Sequence, residues 1–125
     1  MYSITVRDHI LIAHSLVGDV FGPAQSLHGA TYIVDVEFIT DRLDENNVVI
    51  DIGRAAKTLK VICNKLNFKN LDEMEQFKGK VTTTEFLAAY IHGEIRHRIK
   101  DYFHGQLKIT LSESHVAKAS YQGQV

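Results

Sequence analysis

Two histidines in this sequence have the residue type and the spacing of metal ligands. His14 ends one alternating, strand-like run, and His28 begins the next such run along the chain. Imidazoles at the ends of adjacent strands could form part of a zinc site, which needs at least three protein ligands. The obvious place for a third ligand, two residues after His28, is occupied by Ala30. The sequence therefore predicts a metal site with two ligands, His14 and His28, and no third ligand at Ala30.

A third donor would have to come from His9, from His115 or from a neighbouring subunit. His9 fits poorly, because it lies on the opposite strand face from His14 if the strand is regular. The alternative is that two polar histidines remain in a pocket that has lost its metal. Zinc or another borderline metal is the cofactor to consider, and it is expected to bind weakly, because each ligand closes part of the coordination shell.

Residue patterns predict the elements that position these histidines. Alternating apolar residues favour strands at about 2–13, 31–40 and 107–112, with a short fourth strand at about 116–121. Helical spacing begins at Ile52, with Asp51 as the N-cap, and returns from Thr83 to Phe103. This pattern predicts an α+β fold, with a four-stranded antiparallel sheet and two helices on one face. The predicted order is strand, strand, helix, helix, strand, strand.

Two details of the second helix are also predicted. Thr82 and Glu85 have the spacing of a capping box at its start. Gly105 follows its end and suits the left-handed cap position.

Bulk composition excludes several classes of function. The 125 residues, of which 45% are hydrophobic, suit a single domain spanning 1–125. The net charge of −1 gives no polyanion-binding face, so nucleic acid is not an expected partner. No segment approaches the roughly 18 apolar residues of a membrane span. The single cysteine, Cys63, excludes an internal disulfide and fits a reducing compartment, so we expect a cytoplasmic protein.

Short motifs follow one another in order along nearly the whole chain. They are Ile12-Ala13-His14, His28-Gly29-Ala30, Val49-Ile50-Asp51-Ile52, Leu66-Asn67-Phe68-Lys69-Asn70-Leu71, Thr82-Thr83-Thr84-Glu85-Phe86-Leu87-Ala88 and Leu111-Ser112-Glu113-Ser114 with Ala119-Ser120-Tyr121. Together they resemble the 6-pyruvoyltetrahydropterin synthase and 6-carboxytetrahydropterin synthase family. Members of that family typically read Ala-Ala-His and Cys-x-x-x-His-Gly-His, and their three histidines bind zinc.

The sequence departs from the family pattern at its reactive positions. Ala24 stands where the family has its catalytic cysteine, and Asn67 and Phe68 stand where it has an Asp-His pair. Ala30 stands where it has the third zinc histidine. The resemblance therefore implies that the family's zinc-dependent synthase reaction is lost.

Binding residues match the family better. The resemblance implies that Glu113 accepts hydrogen bonds from the amino group and ring nitrogen of a pterin, and a carboxylate suits that edge. Alternation places Glu113 on the apolar face of its strand, although a solvated position is the alternative. Thr83 and Thr84 are candidate substrate-binding residues, because the first turn of a helix can cap itself and also offer N–H groups to a ligand. His115 is a candidate acid or base, or else a surface histidine.

The resemblance also implies the tunnelling fold, in which subunits pair their sheets into a barrel. Its members are commonly hexamers of two stacked trimers with active sites between subunits, so we expect a homo-oligomer. One hypothesis is a protein that binds a reduced pterin or similar heterocycle at a subunit interface, with altered lyase or aldolase-type side-chain chemistry. The alternative is a catalytically inactive structural or regulatory paralogue. A different reaction built from His14, His28 and His115 is a third possibility.

Overall fold

Two long paired strands carry the histidines. The computed structural model describes residues 1–125 and places strand β1 at Tyr2–His14 and strand β2 at His28–Thr40. The strands pair antiparallel over their whole length, from Tyr2 opposite Thr40 to His14 opposite His28. The second strand begins earlier than the predicted start at Thr31, because the chain is already paired with β1 at His28.

Two α-helices cover one face of the sheet. They are α1 at Ile52–Leu66 and α2 at Thr84–Ile99. Asp51 caps α1 as predicted, and its Oδ2 accepts a hydrogen bond from the Arg54 N–H at 2.9 Å. Three short 3-10 helices lie in the connections, at Asp19–Gln25, Leu71–Glu73 and Glu75–Phe77.

The complete sheet has five strands and is mixed. β3 is a two-residue strand at Lys69–Asn70, β4 is Gln106–Ser114 and β5 is Ala117–Gln124. The strand order is β3-β1-β2-β4-β5, and only the β1–β3 pairing is parallel. The predicted α+β class is confirmed. The predicted four-stranded antiparallel sheet is wrong by one strand, and the order becomes strand, strand, helix, strand, helix, strand, strand.

Hydrogen bonds after α1 explain the extra strand. The Asn67 Oδ1 accepts a hydrogen bond from the Leu11 N–H at 2.8 Å, and the Phe68 N–H donates to the Leu11 carbonyl oxygen. These contacts bring residues 69–70 alongside Ile12 and Ala13 of β1. A strand of two residues is too short to show alternation, so periodicity gives no sign of it.

The start of α2 differs from the prediction by one residue. Thr83 is the N-cap, and its Oγ1 accepts a hydrogen bond from the Phe86 N–H at 3.1 Å. The predicted capping box used Thr82 with Glu85. That prediction is wrong because the Thr82 hydroxyl contacts His14 instead.

The end of α2 also differs from the prediction. The helix stops at Ile99 rather than Phe103, and the N–H groups of Tyr102 and Phe103 both donate to the Ile99 carbonyl oxygen. Gly105 does not adopt the predicted left-handed conformation. A Cβ atom at Gly105 would collide with the Ile39 carbonyl oxygen, so close approach to β2 requires the glycine.

The hydrophobic core lies between the helices and the sheet face beneath them, where 24 apolar residues are buried. The opposite sheet face has polar pairs, including Arg7 and Asp35, whose Nε and Oδ1 atoms are 2.7 Å apart. None of the helices combines the length and the apolar character that a membrane span requires.

We predict that Phe38→Ala lowers the free energy of unfolding by about 3–5 kcal/mol, because it leaves a cavity in the core. Phe38 is fully buried, and its ring centroid lies 5.6 Å from that of Phe103. Urea unfolding at one fixed protein concentration would measure the loss. Phe68→Ala is the matched control, since Phe68 is 79% exposed and should change stability by less than about 0.5 kcal/mol. Equal losses in the two variants would contradict this description of the core.

Candidate functional site

The end of the β1–β2 pair brings the two predicted histidines together. His14 and His28 are directly opposite each other, and their ring centroids are 4.7 Å apart in an edge-to-face arrangement. His14 is 2% exposed, whereas His28 is partly exposed. The antiparallel register sets this contact, because His14 and His28 are separated in the sequence by the connection between the two strands and meet only as a cross-strand pair.

Each imidazole is oriented by a hydrogen bond at its Nδ1 atom. The His28 Nδ1 lies 2.8 Å from the Ser26 carbonyl oxygen. A carbonyl only accepts, so Nδ1 carries the proton in this contact and Nε2 of the neutral ring is an acceptor. The His14 Nδ1 lies 3.0 Å from the Thr82 Oγ1, which also leaves Nε2 outside this contact. Such fixed orientation is the arrangement that metal-binding histidines need.

The electrostatic surroundings favour a neutral His14. Burial lowers the pKa of His14 below 6.5, and the nearby His28 lowers it further. The carboxylates of Asp72 and Glu113, together with the contact to Thr82, act in the opposite direction but do not outweigh these effects. A neutral imidazole is the form that can bind a metal or accept a proton.

The donor set does not fit a zinc ion within one chain. No group of three or more His, Cys, Asp or Glu residues is placed to hold a metal. His9 is exposed and lies opposite Ile33, on the other sheet face from the His14 side chain. His115 lies in the exposed turn between β4 and β5. Two imidazoles do not complete a structural or catalytic zinc shell, which takes at least three protein ligands.

The threonine segment before α2 lies beside the histidines. The Thr82 hydroxyl contacts His14, and the Thr84 Oγ1 lies 3.4 Å from the Tyr32 hydroxyl. The Thr83 hydroxyl is occupied by helix capping. Burial raises the pKa of Tyr32, the Thr84 contact partly opposes this, and Glu113 raises the pKa further. The three threonines therefore have three separate roles in the isolated chain.

Glu113 lies at the end of β4, where the pairing with β5 is irregular between Ser112 and Ser114. Its negative charge acts to raise the pKa of both His14 and Tyr32. The expectation of an apolar environment is wrong, because Glu113 is exposed at the strand end beyond the buried Leu111. An open cleft of about 520 Å³ lies beside this strand end on the uncovered face of the sheet, and it is lined by Glu113 and His115 together with Thr31, Ile33, Ser112, Ser114, Val116, Ala117 and Lys118.

Three residues near the site were missed by the sequence reasoning. The Ser15 hydroxyl donates to the Asp72 Oδ2 at 2.6 Å, and Asp72 acts electrostatically on His14. The Tyr32 hydroxyl contacts the Thr84 hydroxyl, although Tyr32 lies on the same strand face as core residues such as Val34. No motif marks Ser15 or Asp72. For Tyr32 the one available signal was that a buried phenol needs a hydrogen-bond partner.

A known protein family matches nearly the whole chain. The family model for 6-pyruvoyl tetrahydropterin synthase matches residues 3–124. The chain belongs to this family. A family relative from Dictyostelium discoideum, named 6-pyruvoyl tetrahydrobiopterin synthase, is 26% identical over 122 residues, which cover 89% of this chain and 90% of that protein.

Solved structures of family members have the same fold. The 6-pyruvoyl tetrahydropterin synthase of Caenorhabditis elegans superposes with a TM-score of 0.85 at 22% identity, covering 98% of this chain and 95% of that one. The Plasmodium vivax synthase superposes with a TM-score of 0.80 at 18% identity, covering 99% of this chain and 98% of that one. The predicted tunnelling fold is therefore confirmed at the level of the chain fold.

The positions that the sequence predicts to depart from the family pattern can be located in the structure. Ala24 lies in the 3-10 helix between β1 and β2, and its carbonyl accepts a hydrogen bond from the Leu16 N–H. Asn67 ends α1 and ties it to β1. Phe68 is exposed and has a φ of 63°, an uncommon conformation for a bulky residue. None of these side chains has the acid, base or nucleophile that a proton relay needs.

Cys63 does not replace the missing thiol of the family. It lies on the buried face of α1, and burial raises its pKa to about 12, with a smaller contribution from the nearby Asp8. A thiol in this state is a poor nucleophile at neutral pH.

Acidification should reduce stability through His14. Because the pKa of His14 is lower in the folded chain than its ordinary value of 6.5, the unfolded chain takes up this proton first as pH falls. The penalty is absent above about pH 7 and grows as pH falls through 6.5 towards the lowered value. We therefore expect His14→Gln to flatten the dependence of unfolding free energy on pH between about pH 7 and 5.

Urea titrations across this pH range, with EDTA present, would measure that dependence. Above pH 7 the unfolding free energies of the wild type and His14→Gln should differ by a constant amount, which comes only from the contacts that the histidine side chain makes. A variant slope equal to the wild-type slope at low pH would show that His14 does not titrate as described.

Proposed function

We propose that this family member binds a reduced pterin, or a heterocycle with the same donor edge, at a subunit interface. The observation that carries the proposal is the position of Glu113 at the end of β4, directly after Ser112, which pairs with Ile33 beside Tyr32. Two carboxylate oxygens can accept from two parallel N–H groups, such as the amino group and adjacent ring N–H of a pterin. Its exposure in one chain leaves these oxygens available to a ligand.

The threonine segment supplies the second part of the proposed site. Thr84 and Tyr32 place two hydroxyl groups near Glu113, and either can donate or accept. Thr83 keeps its capping role and contributes through the backbone at the start of α2. These groups would orient the ring, while Glu113 would supply the charged contact.

The assembly proposed for this chain is a homo-oligomer of two stacked trimers. The outer edge of β1 is paired with β3 only at Ile12 and Ala13, and β5 is the other edge of the sheet. Unpaired edges of long strands favour pairing with another chain. Leu11 and Ile33, which are 43% and 39% exposed, lie on the uncovered sheet face. Edge pairing between copies would enclose this face and place a second chain beside Glu113.

The chemistry proposed at this site is a lyase or aldolase-type reaction on the pterin side chain that does not use the family's zinc centre. In the Plasmodium vivax synthase a glutamate is described as a catalytic residue. A carboxylate can therefore take part in catalysis within this family. Here His115 remains a candidate acid or base, because it lies two residues beyond Glu113, in the turn after β4. A catalytically inactive paralogue that keeps the fold is the alternative outcome.

We predict that Glu113→Ala weakens pterin binding by at least about tenfold, the loss expected for a charge-assisted hydrogen-bonded pair of about 1.5–3 kcal/mol. Fluorescence titration with dihydroneopterin and its triphosphate would measure the dissociation constants, and chromatography would detect any product. Glu113→Gln keeps the shape of the side chain but loses its charge, so its dissociation constant should fall between those of the wild type and Glu113→Ala. Glu45→Ala is the matched control, since Glu45 is an exposed carboxylate at the opposite end of the sheet.

Each result of that titration has one meaning. Product that vanishes in Glu113→Ala would establish a pterin enzyme, and saturable binding without product would indicate a carrier or sensor. No binding at millimolar ligand would exclude the pterin proposal and leave the structural paralogue.

The proposed assembly makes a separate prediction. Size-exclusion chromatography with light scattering should give the mass of six chains, and the mass should persist on dilution to micromolar concentration. A monomer at every concentration would contradict a site completed by a second chain.

A further inference from the structure

The histidine pair has the orienting hydrogen bonds of a metal centre, although its donor set is incomplete. The side chains of His14, His28 and Ala30 all lie on the helix-facing side of the sheet, because His28 and Ala30 alternate along β2 and His14 is opposite His28. Ala30 is opposite Ile12, one pair further into the sheet. A side chain at position 30 therefore points into the same volume as the two imidazoles.

A hydrogen bond at Nδ1 already orients each imidazole. The His28 Nδ1 donates to the Ser26 carbonyl, and the His14 Nδ1 is held by the Thr82 hydroxyl. In metal centres this kind of hydrogen bond fixes the ring and directs the other nitrogen to the metal, and its loss costs about 10–100-fold in affinity. The orienting contacts are therefore present although the donor set is incomplete.

We propose that Ala30 alone separates this site from a zinc centre. The two histidines are two of the three protein ligands that a zinc centre needs, and both are already oriented. The wild-type protein does not retain zinc because the methyl group of Ala30 cannot bind a metal. The inference concerns only the metal, and it does not depend on what the site binds otherwise. A third donor at position 30 completes a shell of three protein ligands, with the fourth position left to water.

Metal retention by the purified protein tests this proposal. Wild type, Ala30→His and Thr31→His would be loaded with zinc, dialysed against a buffer with a weak chelator and assayed for metal content. Thr31→His is the matched control, because it adds the same imidazole one residue along β2 on the opposite, exposed face. We expect about one zinc ion per chain in Ala30→His and well below that in the other two.

A second substitution covers the case in which the larger ring prevents folding. Ala30→Cys adds a compact thiolate, and cobalt binding to it would give the intense near-ultraviolet band of a metal–thiolate bond. Circular dichroism would confirm that each variant is folded. In the Ala30→His background, Thr82→Val should lower zinc affinity by about 10–100-fold, because it releases the His14 ring.

Several results would overturn the proposal. One zinc ion per wild-type chain would mean that another copy completes the shell. Equal retention by Ala30→His and Thr31→His would mean that the pair is not preorganised. Failure of both position-30 variants to fold would mean that the strand end has no room for a third donor.

Discussion

The antiparallel register of β1 and β2 is the constraint on which the rest of this structure depends. It places His14 opposite His28 at one end and Tyr2 opposite Thr40 at the other. Side chains alternate between the two faces, so a slip of one residue in either strand would turn its histidine and its whole apolar set to the wrong face. The core and the candidate site are thus specified by the same pairing, and neither can shift alone.

One side chain, Thr82, connects the start of α2 to this strand end. Its hydroxyl orients His14, which leaves Thr83 to cap the helix. Capping supplies a hydrogen-bond acceptor for an N–H group at the helix start. A buried imidazole also needs a hydrogen-bond partner, and its absence would lower the stability of the protein. Two neighbouring threonines satisfy both requirements at once. The third, Thr84, turns to Tyr32, so a run of identical residues fills three different roles.

Much of the fold could be predicted from the sequence, because long strands and helices leave periodic patterns. The α+β class, the two long strands and the Asp51 cap follow directly from those patterns. β3 could not be predicted, since it depends on two hydrogen bonds that Leu11 makes with Asn67 and Phe68. The environment of Glu113 was missed for a related reason. Alternation assigns a strand face, but an irregular pairing at the strand end leaves the residue exposed.

The positions predicted from the sequence to differ from the family pattern separate the needs of the fold from the needs of the reaction. Asn67 lacks the acid of the family pattern, yet its amide oxygen holds the Leu11 N–H and fixes the end of α1. His14 keeps its buried orienting contact although no complete ligand set surrounds it. Contacts that hold backbone and rings in place are thus present at positions where the sequence predicts that groups which move protons or complete a metal shell are absent. A fold can keep its geometry while its chemistry changes, because the two depend on different atoms of the same residues.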